Sequence, residues 1–143
     1  MTEIGTAADA FEAYATYHHA GDARQIGRGE DRTAYLINGV VYKIGHRQSA
    51  NRYDHDTLST ARAAGARWAP ESALYTVVGM YDETWTVMAM PYLVDDGTDA
   101  DPEALAEMHA QTGGGVDRIG GNYVVIASQP VVIDGCTVAL AGL

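Results

Sequence analysis

The chain of 143 residues and 15.2 kDa, 47% hydrophobic and 20% charged, has the composition of one folded domain with a real core, and is small for two. Nine basic residues against nineteen acidic ones give a net charge of −10, which repels phosphate backbones and anionic lipid and argues against nucleic acid or a membrane as partner. Cys136, the single cysteine, excludes an intrachain disulfide and a cysteine-based zinc site; with no leader-like start and no apolar run near the ~18–20 residues of a membrane span, a cytoplasmic protein is expected.

In chain order, Thr6–Ala20 is expected to be a helix, capped by Thr6 with Asp9 in capping-box position. Ile4, Ala8, Phe11 and Ala15 form its expected inward face, and Gly21 its end. His18 and His19 lack a second ligand cluster and read as solvated. From Arg24 the pattern turns to strands: Gln25-Ile26 leads into Gly27-x-Gly29, then Thr33–Ile37, an Asn38-Gly39 turn and Val40–Ile44. Asn-Gly between apolar runs signals a two-residue hairpin.

Of the nine basic residues eight are arginine, and the one lysine, Lys43, lies in the last of these strands. Alternation puts Lys43 with Val41 on one face and Tyr42 with Ile44 on the other. A helix is expected from Ser49, as cap, to about Ala64, ended by Gly65. At 100° per residue Asp54 shares its inward face with Ala50, Leu58 and Ala61, while Asp56 points away. An inward carboxylate requires a cation, and Lys43 is near in sequence.

After the break at Arg67-Trp68-Ala69-Pro70, strands are expected over Ala73–Gly79 and Thr84–Met90 around Tyr81-Asp82-Glu83. Pro91-Tyr92-Leu93 and the Asp-rich linker Val94–Ala100, the expected hinge, come next. Asp101-Pro102-Glu103 opens a helix carrying Leu105, Met108 and His109, which ends at Gly113-Gly114-Gly115. Val116–Asp134 holds Asp117, Asn122, a short hairpin and Asp134. A last apolar strand is expected over Thr137–Leu140, with Cys136 as a small apolar neighbour.

These motifs, in this order, resemble the protein-kinase-like superfamily, particularly its small bacterial, phage and aminoglycoside-phosphotransferase-like branches. Gly27-x-Gly29 is similar to the glycine-rich loop, Val41-Tyr42-Lys43 to the strand lysine and Asp54 to the helix acid that pairs with it. Met90-Pro91-Tyr92-Leu93 is similar to the adenine-binding connector, and Asp117-x-x-x-x-Asn122 with Asp134-Gly135 to the catalytic and metal loops. The chain departs from the family pattern in Arg32 at the third loop glycine, Glu30-Asp31 at the loop tip, Asp54 in place of Glu and Ile119 in place of the branch's His.

The resemblance implies an α+β fold. Residues 1–22 would form an N-terminal helix and residues 23–93 a kinase-like N-lobe, a five-stranded antiparallel sheet with one helix, ending in a hinge. Residues 94–143 would form a truncated C-lobe, since nine residues follow Asp134. It also implies ATP and Mg²⁺ as cofactors. Lys43, held by Asp54, would contact the α/β-phosphates, Gly27 and Gly29 would cover them, and Met90, Pro91 and Leu93 would hold adenine. Asn122 and Asp134 would ligate Mg²⁺, and Asp117 would accept the proton of an attacking hydroxyl. The acceptor, a protein or a small molecule, is not legible, and the short lobe would favour association of two copies. Two further readings stand beside the phosphotransferase: a catalytically impaired kinase-like module that binds nucleotide or a partner, and a small α+β structural protein.

Overall fold

A computed structural model describes residues 4–19, 25–28, 32–45 and 48–143. The expected helix end at Gly21, the glycine at 29 and the acidic pair Glu30-Asp31 lie outside them. Among the described residues the fold is α+β, with a five-stranded antiparallel sheet, a two-stranded hairpin and three α-helices. No helix among the described residues is long and apolar enough to cross a membrane.

The chain divides into two units, the first reaching to His55 and adding Ser72–Tyr92, the second combining Asp56–Glu71 with Leu93–Leu143. In the first, helix α1 (Ala7–His18) precedes strands β1 (Gln25–Arg28), β2 (Thr33–Ile37) and β3 (Val40–Ile44). After helix α2 (Gln48–Ala63), β4 (Ala73–Val78) and β5 (Thr84–Pro91) complete a sheet of order β1-β2-β3-β5-β4. Asn38 and Gly39 both take positive φ, 51° and 78°, the geometry a two-residue β2–β3 turn needs.

One sheet face presents Tyr35, Ile37, Tyr42, Ile44, Tyr75, Val77 and Val87 to a core closed by α1. Thr6 caps that helix by accepting from the Asp9 amide at 3.0 Å. Its buried side chains are Ala10, Ala13, Tyr14 and Thr16, rather than the expected Ala8, Phe11 and Ala15; Phe11 is 51% exposed. The stripe is rotated because the sheet supplies the bulk: opposite large tyrosines, alanines let the helix backbone come close. The Tyr14 hydroxyl donates to Glu83 Oε1 at 2.6 Å, tying α1 to the β4–β5 turn. A Cβ at Gly79 would collide with the same two groups, which explains glycine there.

Helix α2 starts at Gln48, so Ser49 lies in its first turn rather than capping it. It ends with Gly65 at φ +89° and amides of Gly65 and Ala66 bonded to the carbonyls of Arg62 and Ala61, a Schellman closure. Residues on the inward stripe belong to both units: Ala50, Asn51 and Asp54 to the first, Leu58 and Ala61 to the second, all buried.

The second unit is built on Trp68. Its ring is 1% exposed, its Nε1 donates to Gln111 Oε1 at 2.8 Å and its carbonyl accepts from the Val132 amide. Helix α3 (Pro102–Gln111) is capped by Asp101, whose carboxylate accepts from the Ala104 amide, and it contributes Ala104 and Met108 to the core. Strands β6 (Tyr123–Ile126) and β7 (Gln129–Val132) form the hairpin. Thr137–Leu140 is not a strand. Gly135–Thr137 is a 3₁₀ turn, and the chain then runs past the end of α3, its Ala139 and Ala141 amides bonding to the carbonyls of Thr112 and Gln111. The last carbonyls of a helix have no partner of their own, and they outcompete a sheet edge here. Cys136 is exposed on that turn rather than packed as an apolar residue.

Candidate functional site

In the first unit the expected polar residues meet beneath β3, on the face opposite the tyrosine core. Lys43 Nζ lies 3.3 Å from Asp54 Oδ2, and Asp54 is fully buried while the lysine side chain is 12% exposed. The pair forms although aspartate is a methylene shorter than glutamate, because α2 is drawn against the sheet by Asn51. That side chain, 1% exposed, donates to the carbonyls of Lys43 at 2.9 Å and Thr86 at 2.8 Å, bridging β3 and β5.

Arg32 is the residue whose part here was not anticipated. Its Nη1 lies 2.8 Å from Asp54 Oδ2, closer than Lys43, and donates to Asn51 Oδ1 at 3.0 Å. It stands just before β2, facing Met88 Sδ at 3.8 Å, with its side chain 10% exposed. Asn51 precedes Asp54 by three residues on one helix face, and a second polar residue on an inward stripe was the available signal for it.

Of the expected nucleotide contacts, Gly27 lies in β1 opposite Ala34, beside a register shift, and Gly29 is outside the described residues. Met90 is buried and pairs with Val41, Pro91 ends β5 opposite Val40, and Leu93 is half-buried.

In the second unit Asp117, Asn122 and Asp134 are gathered by backbone bonding. Asn122 N donates to the Asp117 carbonyl at 2.9 Å, and Asn122 Oδ1 accepts from the Asp117 amide at 3.1 Å, closing the loop on itself. Asp117 Oδ1 accepts from the Ile119 amide at 2.9 Å. The Asn122 carbonyl accepts from Ile133 at 2.8 Å and Asp134 at 3.2 Å, so β7 delivers Asp134 to the loop. Asp134 Oδ1 in turn accepts from the Cys136 amide at 3.0 Å. Gly120 lies under the loop: a Cβ placed there would sit 3.6 Å from Asn122 Oδ1 and 3.7 Å from Asp117 Oδ2, so both oxygens border the same small space.

Arg118, next to Asp117, anchors the loop to the Asp-rich segment after Leu93. Its Nε and Nη2 reach Asp95 Oδ2 and Oδ1 at 2.8 and 2.7 Å, a bidentate pair, and Nη2 also donates to the Thr98 carbonyl. Asp95 accepts further from the Val125 and Gly97 amides. Its carboxyl is held well below the ordinary range, first by Arg118 and then by the Gly97 amide. Asp96 accepts from the Ala127 amide and from Thr98, which lower its pKa in that order. The expected hinge Val94–Ala100 is thus fastened to β6, to the hairpin turn and to the Asp117–Asn122 loop. Asp-x-Gly and Asp-x-Thr are the local signature of such side-chain-to-backbone turns.

Chemically, an amide oxygen and carboxylates at one loop are hard donors of the kind Mg²⁺ takes. Asn122 Oδ1 uses one of its two lone pairs on the Asp117 amide. A buried carboxylate beside a lysine and an arginine is an ion cluster that orders the sheet–helix junction. No protein-family model, characterised protein or solved structure matches the chain.

Proposed function

We propose that the protein is a minimal ATP- and Mg²⁺-dependent phosphotransferase of the kinase-like type. The observation that carries the proposal is the Lys43–Asp54 contact: the only lysine of the chain, on the third strand of a five-stranded antiparallel sheet, faces an acid of the following helix. That is the pairing phosphoryl-transfer enzymes of this type require. The Asp117–Asn122 loop, latched to Asp134, supports the same reading.

In this reading Lys43 would contact the α/β-phosphates of ATP, while Met90, Pro91 and Leu93 would hold its adenine and Gly27 would be the described member of the glycine pair that serves the phosphates. Asn122 and Asp134 would hold Mg²⁺, which supplies neutralisation of phosphate charge. Asp117 orients the acceptor hydroxyl and takes its proton; the Ile119 amide on Oδ1 fixes the carboxylate so that Oδ2 is the accepting atom. Nucleotide is the first partner, and a protein or small-molecule hydroxyl the second.

A second reading, a kinase-like module that binds a partner without transferring phosphate, is favoured by Ile119. This side chain is 97% exposed beside Asp117, an apolar group where transfer chemistry gains nothing from one.

The separating measurement is thermal unfolding with and without Mg-ATP: a ligand at about 100 times its dissociation constant adds roughly 2.7 kcal/mol of stability. The phosphotransferase reading expects a clear upward shift that EDTA removes. It also expects phosphate transfer that is lost in Asp117→Ala and Asp134→Ala. No shift at millimolar Mg-ATP sinks it, and a shift with equal, background transfer in all three proteins leaves the second reading.

A further inference from the structure

Asp54 is 0% exposed, yet two cations share its Oδ2: Arg32 at 2.8 Å and Lys43 at 3.3 Å. The two are not equivalent. Arg32 is also fixed by Asn51 Oδ1, which in turn is fixed by its bonds to the Lys43 and Thr86 carbonyls. Guanidinium stays charged at any ordinary pH and is well suited to buried pairs, whereas an ammonium is a compact charge on a flexible stem. Removing one partner from a buried pair is costly because it leaves the other charge uncompensated. If Lys43 alone balanced Asp54, sharing its ammonium with a phosphate would leave that buried carboxylate only partly compensated.

We propose that Arg32 is a positioning residue, the standing counter-ion of Asp54, and that it keeps the buried carboxylate neutralised so that Lys43, still held beside Asp54, can lend its charge to a polyphosphate. The division of labour rests on the phosphotransferase reading for its purpose. It assigns a role to the arginine that replaces a loop glycine, and it accounts for an aspartate where a longer acid would reach Lys43 more closely.

Lys43 is the only lysine, so ¹³C-ε-lysine labelling gives one ε-carbon signal that reports it without assignment. Inorganic triphosphate is the probe, added to wild type and to Arg32→Gln, with denaturation of Arg32→Gln, Lys43→Gln, Asp54→Asn and both doubles with Asp54→Asn measured alongside. The expected results are a saturable shift of the Lys43 signal in wild type and at least tenfold weaker triphosphate binding in Arg32→Gln. Arg32→Gln should also lose more stability than Lys43→Gln, with most of that loss recovered in the Arg32→Gln/Asp54→Asn double. Should Arg32→Gln fail to fold, folding of that double and of Lys43→Gln supports the assignment. Equal stability losses with equal rescue overturn it, as does unchanged triphosphate affinity in a folded Arg32→Gln. If wild type binds neither triphosphate nor Mg-ATP, the phosphotransferase reading falls and the stability comparison alone still decides whether Arg32 is the principal counter-ion.

Discussion

Asp95 accepts four hydrogen bonds, two from Arg118 and one each from the amides of Gly97 and Val125. Its folded-state pKa is depressed below the unfolded value near 3.9, so the stability it contributes is fully present above about pH 4 and is lost as pH falls through the depressed folded value. Asp96, lowered by the Ala127 amide and Thr98, acts in the same window. Acid titration followed by circular dichroism should therefore show Asp95→Asn less stable than wild type at pH 7 and converging with it toward pH 2. A second single-residue test is Thr112→Val. The Thr112 hydroxyl is buried without a hydrogen-bond partner among the described residues, and removing an unsatisfied buried polar group while keeping the shape should raise stability by about 1 kcal/mol, read from the urea midpoint.

Among the elements, the β6–β7 hairpin turns through Ala127 and Ser128 at φ 49° and 67°, the left-handed geometry of a two-residue turn, with no glycine in it. Each such residue costs roughly 1–2 kcal/mol. The turn persists because Asp96 accepts from the Ala127 amide at 2.7 Å, Thr98 Oγ1 from Ser128, and Ser128 O from Asp101. Ala127→Gly should remove the strain and stabilise by about 1 kcal/mol after the added freedom of the unfolded chain is counted, with the thermal midpoint as readout. The contrast with Asn38-Gly39 is instructive: that hairpin was visible because its residues match its dihedrals. At Ala127-Ser128 the neighbours, not the turn residues, impose the geometry.

For the whole molecule, helix α2 is the shared element. Asn51 and Asp54 serve the sheet of the first unit, and Leu58 and Ala61 are buried side chains of the second. Asp56 is exposed at its middle, so Asp56→Pro breaks the helix without removing a core side chain, at a cost of about 3 kcal/mol or more. The two tryptophans divide between the units, Trp85 in the first and Trp68 in the second. Both should report a lower denaturation midpoint in that variant, by fluorescence of Trp85→Phe and Trp68→Phe backgrounds.

The sequence by itself determined the strands at Thr33–Ile37 and Val40–Ile44, the capped helix at Pro102 and the inward facing of Asp54, because each rests on local geometry: turn dihedrals, a missing N–H, a 100° rotation per residue. Its proposed site residues were legible as chemical types in order. Only the tertiary structure decided which side of α1 is buried, since tyrosines from distant strands set that choice. It also placed Arg32 on Asp54, Asp95 on Arg118 and the final residues on the carbonyls of α3, contacts between groups 22, 23 and about 27 positions apart in sequence. No local pattern encodes them: each is a polar group finding the partner that folding brought within reach.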